Sequence, residues 1–204
     1  DHSVPLRPGA SVAIIGAGVA GLQTSAALLE LGFQVKVYDA APDVGGVWRQ
    51  NYEGFQLQVP IELYQFAKYP YKEHRADWKN GDMISGPEVQ GYIQAFVERT
   101  PKLRESLRLS TKVNSVQKSG ESWTVAFQQS STGSGISGEE RFSYVVICTG
   151  MYNKPLKPAF EGIESFGGKV LHSSEVLDAS VAKGKRVVVI GGGKSAMDLA
   201  ATLS

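Results

Sequence analysis

The chain has 204 residues, with 21 Lys plus Arg against 20 Asp plus Glu and a net charge of +1. No basic block is dense enough to track a phosphate backbone, which sets nucleic acid aside as a partner, and the longest apolar runs, such as residues 12–15 and 187–190, fall far short of the roughly 20 residues of a transmembrane helix. The single cysteine, Cys148, precludes an intramolecular disulfide, a CxxC pair and a Cys-rich metal site.

Length allows one ordinary domain or two small ones. The opening nine residues hold neither an apolar run nor an Arg-rich amphipathic pattern. With the lone thiol, that gives a reducing, cytoplasmic setting as the expectation.

In chain order, residues 11–15 are an apolar run of strand length, followed by a glycine cluster and by "LQTSAALLELG", whose apolar positions recur at helical spacing up to Gly32. "FQVKVYD" alternates and is β-branched, so it reads as a parallel strand closing a βαβ unit. Residues 42–87 are aromatic and punctuated by Gly and Pro, as in a segment that covers a ligand rather than extending a sheet. "SGPEVQGYIQAFVERT" predicts a helix, with Ser85 as its cap, Pro87 in the first turn and Pro101 beyond its end.

Residues 107–117, 122–129 and 141–148 then predict a small antiparallel meander whose last strand returns to the main sheet, with Cys148 as a small buried residue at its end. The Gly/Ser-rich "QSSTGSGISGEE" reads as a hairpin loop. The Pro-rich "GMYNKPLKPAFEGI" marks a crossing between domains, and "KRVVVIGGGKSAMDLAATL" restarts the order strand, turn, helix.

The chemistry lies in the two glycine turns. Gly16, Gly18 and Gly21 form a GxGxxG in the right context: the first glycine lets the chain leave the strand sharply, the second lets backbone approach a diphosphate, and the third lets helix and strand pack closely. A tight structural turn would explain such glycines equally well, but Asp39, 23 residues after Gly16 and at the end of the second strand, is placed to bind a ribose hydroxyl pair. The closing turn, with Gly191, Gly193 and Ala196 around Lys194 and Ser195, is the GxGxxA form. Its "GKS" does not make a nucleoside-triphosphate loop, because that motif needs glycine where Val188 stands. Two dinucleotide sites predict two cofactors, as where electrons pass from a nicotinamide to a flavin.

The segments "GAGVAGL", "YDAAPDVGGVWR", "LYQFAKYPY", "CTGMYNKP", "FGGKVLHS" and "GGGKSAMD" together resemble the flavin-containing monooxygenases over almost the whole chain. In that family FxGxxxH is followed by an aromatic four positions later; Phe166, Gly168 and His172 fit, and Val176 departs. The resemblance implies an α/β flavoprotein with two dinucleotide-binding domains. The first is a Rossmann-like, three-layer FAD domain with a β-meander, here residues 1–150; residues 151–204 would be a linker and the start of a Rossmann-like NADPH domain.

By the same resemblance Gly16, Gly18, Gly21 and Asp39 hold FAD, with Gly45, Gly46, Trp48 and Arg49 of "GGVWR" along the flavin. Gly191, Gly193, Lys194, Ser195 and Ala196 hold the NADP diphosphate. Gln58 stands where many members carry an Asn near the reactive edge of the flavin, and His172 organises the domain junction or the nicotinamide side. The implied reaction is NADPH- and oxygen-dependent insertion of one oxygen atom into the nitrogen or sulfur of a small amine or sulfide, through a C4a-hydroperoxyflavin.

Family members return to the FAD domain after completing the NADPH domain, so a complementary chain or C-terminal segment is expected. Two other readings stay open. A disulfide-reductase flavoprotein would need a dithiol that one cysteine cannot supply. A non-catalytic fragment serving as a structural subunit of a larger assembly would suit Gln58 and Val176.

Overall fold

The computed structural model describes residues 7–130, 135–152 and 154–204. They fall into two compact units, one from residues 1–49 with 90–150 and the other from 50–89 with 151–204. One unit edge falls between residues 150 and 151, and the aromatic segment 50–89 groups with the C-terminal residues.

The first unit opens with β1 (Ser11–Ile15), α1 (Val19–Glu30) and β2 (Gln34–Tyr38). In the second unit the segment after Arg49 contains one short helix, α2 (Tyr71–His74). Its aromatic residues Phe66, Tyr69, Tyr71 and Trp78 are buried, as are Leu57 and Ile61. Next is α3 (Gly86–Glu98), inside which the division between units falls. At its start the Ser85 N–H donates to the Glu88 carboxylate at 3.4 Å, the half of a capping box that the acid supplies, and the Ser85 hydroxyl donates to the same oxygen at 2.6 Å.

The first unit continues with α4 (Pro101–Ser106), β3 (Leu107–Arg108), β4 (Thr111–Ser119), β5 (Ser122–Gln129), β6 (Ile136–Phe142) and β7 (Tyr144–Ile147). Its main sheet has the order β3-β2-β1-β7, with every pair parallel. The antiparallel meander β4-β5-β6 covers one face: Ala13, Ile15, Tyr38 and Val145 of the sheet meet Val113, Val125, Phe127 and Phe142. The Tyr38 ring lies 5.3 Å from that of Phe127 and edge-on to Phe142. By strand alternation Val12, Ile14, Val35 and Val37 point the other way, where they are buried on the side of α1. Helix, parallel sheet and meander are the three layers expected.

Three local expectations need correction. Pro101 does not merely end a helix; it occupies the first turn of α4, where its missing N–H costs no hydrogen bond. The third meander strand is not one run over residues 141–148. The chain turns at Ser143, whose N–H leaves the meander to donate to the Ser11 carbonyl at 3.0 Å, so β6 stays in the meander and β7 joins the sheet. β6 also begins within the expected Gly/Ser loop, of which residues 131–134 lie outside the described residues.

The largest difference is in the second unit. Residues 187–190 form no strand, and Val188 and Ile190 are 84% and 68% exposed. A parallel strand is held by ladder bonds to flanking strands, and no described residue supplies one here. The helix that follows, α5 (Lys194–Thr202), forms as expected. It packs Leu199 and Leu203 against Tyr52, Phe55, Val176 and Val181. Among the described residues no helix is long and apolar enough to cross a membrane.

Candidate functional site

The first glycine turn is built by the backbone around it. Gly16 has φ +113°, and a Cβ there would lie 2.3 Å from the Cys148 carbonyl oxygen at the end of β7. A Cβ on Gly21 would lie 1.9 Å from the Gly16 carbonyl oxygen, so α1 and the strand end approach as only glycine permits. Both requirements come from the protein itself.

Gly18 is different. Its backbone, φ −76° and ψ 179°, suits any residue, and the nearest atom to a Cβ placed there would be the Gly46 Cα at an ordinary 3.7 Å. As N-cap of α1 it offers no side chain to the free N–H groups of the first turn, which also holds no acidic residue. Gly46 faces it with backbone alone at φ +59°. The two glycine backbones therefore lie against each other beside the positive end of α1, where no side chain caps the helix. An uncapped helix N-terminus of this kind can receive an anion such as a diphosphate.

Asp39 reaches this turn. Its Oδ2 accepts from the Ala17 N–H at 2.6 Å and its Oδ1 from the Ala41 N–H at 2.8 Å, tying the end of β2 to the glycine loop. Each oxygen retains a lone pair for a hydroxyl donor. The Gly45 N–H donates to the Ala17 carbonyl at 2.9 Å, so the "GGVWR" stretch is stitched to the same loop. A short helical turn, Gly46–Trp48, then carries a half-buried Trp48 and leads to the exposed Arg49.

One residue of this site belongs to no sequence motif. Gln90 on α3 donates from Nε2 to the Val44 carbonyl at 2.8 Å, while its Oε1 is buried without a hydrogen-bond partner and lies where a Gly45 side chain would have to go. The only sequence signal for it is a glutamine beside Val89 on a helix whose Val89, Tyr92 and Ile93 are buried. A buried acceptor of this kind is complete once a donor enters the site.

The remaining candidates lie in the second unit. Gly191 has φ +144°, and Gly193 caps α5 without a side-chain bond. Lys194 does not point into open solvent: its ammonium pairs with Asp198, and the Tyr52 hydroxyl donates to the other oxygen of that carboxylate at 2.9 Å. Burial pushes the Tyr52 phenol above its ordinary pKa. Ser195 and Ala196 complete the first turn of α5.

His172 is the N-cap of a short helical turn, Ser173–Glu175. Its Nδ1 accepts from the Ser174 N–H at 3.2 Å, and its own N–H donates to the Glu175 carboxylate at 2.6 Å. The Lys157 ammonium beside Glu175, with that N–H, holds the carboxyl below its usual range. The imidazole thus organises the chain around Val176, which is buried against Tyr52 and Leu199 where an aromatic residue was expected. Gln58 is exposed, next to a buried Leu57 whose N–H bonds the Ile84 carbonyl at 2.9 Å.

The structure therefore brings Gly16, Gly18, Gly21, Asp39, Gly45 and Gly46 together. The glycine turn around Lys194 lies in the other unit, with Gln58 and His172. No group of His, Cys, Asp and Glu among the described residues could hold a metal ion. Burial raises the pKa of the Cys148 thiol, but the residue is half-buried just past β7 rather than fully buried at a strand end as expected.

Comparison with known proteins places the described chain within one family. The family described as flavin-binding monooxygenase-like matches residues 9–204. Senecionine N-oxygenase of Tyria jacobaeae is 29% identical, over 95% of this chain and 44% of its own length. The S-allyl-L-cysteine S-oxygenase structure from Allium sativum superposes with a TM-score of 0.83 at 27% identity, covering 96% of this chain and 48% of that one. An oxidised steroid monooxygenase bound to NADP gives a TM-score of 0.70 at 29% identity, over 95% of this chain and 36% of that one. The chain spans less than half the length of each.

Proposed function

Because the chain belongs to the flavin-binding monooxygenase-like family, we propose that it is the part of a flavin-dependent monooxygenase that receives FAD and NADPH and directs one oxygen atom of O2 to the nitrogen or sulfur of a small amine or sulfide. The observation that carries this reading is the uncapped N-terminus of α1, where Gly18 makes no side-chain cap bond and Gly46 beside it presents backbone alone. FAD would be held there by the first-turn N–H groups of α1, with Asp39 on its ribose and Gly45, Gly46, Trp48, Arg49 and Gln90 alongside. The flavin, when bound, supplies hydride acceptance and oxygen activation.

The residues of the chain bind and orient. Backbone N–H groups at α1 neutralise a diphosphate, and Asp39 fixes the ribose while keeping the loop in shape. Gln90 offers its spare oxygen to an entering N–H or O–H donor. Gly191, Gly193, Lys194, Ser195 and Ala196 make the corresponding turn for NADPH, with His172 ordering the chain beside Val176. An oxygenase of this kind needs no general base of its own and so requires no catalytic triad. An amine or sulfide substrate is favoured because the matched relatives include an N-oxygenase and an S-oxygenase. The same proposal includes a complementary C-terminal segment whose strands pair with residues 187–190 and remove Val188 and Ile190 from water.

The test is direct. The full protein purified from cells is expected to carry a visible flavin absorption band and to oxidise NADPH faster when an amine or sulfide is added. Colourless protein that neither takes up added FAD nor oxidises NADPH would overturn the assignment.

A further inference from the structure

Lys194 stands at an awkward place. It is the first residue of α5, where the helix dipole disfavours a cation. Its partner Asp198 lies one turn further along, in the order Lys before Asp that contributes least to a helix. Helix stability does not explain the pair. Yet the Asp198 side chain is only 9% exposed and both its oxygens are occupied, one by Lys194 and one by the Tyr52 hydroxyl at 2.9 Å. Tyr52 is itself buried with Val176 and Leu199, so the phenol cannot swing away without opening that cluster. The direction matters. A lysine that bound a phosphate at the start of the helix would reach back over the glycine turn, whereas here the ammonium is drawn down the helix, and a side chain placed on Gly192 or Gly193 would meet nothing within 4 Å.

We propose that Asp198, held in place by Tyr52, is a positioning residue that keeps Lys194 off the dinucleotide turn and so acts as a brake on nicotinamide nucleotide affinity. The inference rests on the reading that this turn receives NADP. The diphosphate is met by backbone N–H groups, and Lys194 joins it only by leaving Asp198, which sets the affinity by an exchange between two anions. A redox enzyme that must release the oxidised nucleotide in every cycle is served by such a limit.

The test is NADP+ binding to the full, FAD-loaded protein, measured by calorimetry at low and high salt with thermal unfolding as a control on folding. Asp198→Asn is expected to tighten binding by about tenfold at low salt, the gain from one freed charge-assisted contact, and to steepen the loss of affinity with salt. Tyr52→Phe gives a smaller change in the same direction. Adding Lys194→Met to Asp198→Asn cancels the gain. Structural damage would loosen binding rather than tighten it.

The proposal is overturned if the gain survives in the double variant, or if a folded Asp198→Asn protein shows no gain. Wild-type protein that binds no NADP+ overturns the underlying reading of the turn as well, whereas these variant results overturn the brake alone.

Discussion

The two glycine turns share a motif and differ in what enforces it. In the first, position three is Gly21, because a Cβ would strike the Gly16 carbonyl oxygen at 1.9 Å. In the second, position three is Ala196, and a side chain on Gly191 would stand 3.3 Å from the alanine methyl. The first turn leaves a strand that is flanked on both sides and buried, with Val12, Ala13 and Ile14 at most 1% exposed. The second leaves residues 187–190, which pair with no described residue. A dinucleotide turn thus has two separable requirements: close packing of helix on strand, and open backbone at the second glycine. Only the first depends on the sheet.

The largest expected effect follows from the packing requirement. Gly21→Ala must lift α1 from the end of β1, an overpacking cost of about 3 kcal/mol, and for a chain of this size the melting temperature should fall by roughly 10 °C. Ala196→Gly at the matching place should change it little beyond the propensity difference, about 1 kcal/mol. Circular dichroism melts check both. A Gly21→Ala protein that melts like wild type would mean that the two turns are packed alike.

Asp39 gives the next effect. Its carboxylate holds the Ala17 and Ala41 N–H groups, and the second turn has no such brace, since Asp198 lies on α5 itself and takes up Lys194 and Tyr52. Asp39→Ala leaves two partly buried donors without their acceptor, at a cost of about 2 kcal/mol. It should also reduce retained flavin, read as the ratio of visible to ultraviolet absorbance after gel filtration. Unchanged stability would show that water replaces the carboxylate and that the loop does not depend on it.

These differences also explain what could be read before folding. The βαβ unit with Gly16, Gly18, Gly21 and Asp39 was legible because strand, turn, helix and acid lie within one short stretch, and each residue type answers a local geometric demand. Gln90 was not, because its partner Gly45 is 45 positions away in sequence and a glutamine has no motif of its own. The two-residue strand β3 is too short to show alternation, and Pro101 fits a helix start as well as a helix stop. The run at 187–190 read as a strand for the reason that any apolar β-branched run does. Whether such a run becomes one depends on neighbours, which periodicity does not contain. The meander was legible as strands, but the turn at Ser143 that sends β7 to the sheet rests on a hydrogen bond to Ser11, 132 positions earlier.

The smallest effects on stability, and the sharpest on function, belong to the second glycine of each turn. A methyl on Gly18 meets only the Gly46 Cα at 3.7 Å, and a methyl on Gly193 meets nothing within 4 Å; both backbones lie at negative φ that alanine adopts freely. Gly18→Ala and Gly193→Ala should each leave unfolding within about 0.5 kcal/mol of wild type. The methyl would nevertheless occupy the space through which a diphosphate reaches the helix N–H groups, so Gly18→Ala should lose flavin and keep its fold. Gly193→Ala should keep flavin and lose NADP+ affinity. If Gly18→Ala retained its flavin in full, the contact of Gly18 with Gly46 would belong to an ordinary turn and the first turn would no longer mark the cofactor. If both variants lost flavin together, the two turns would not act as separate sites, and the distinction between packing and opening would fail where it is most exposed.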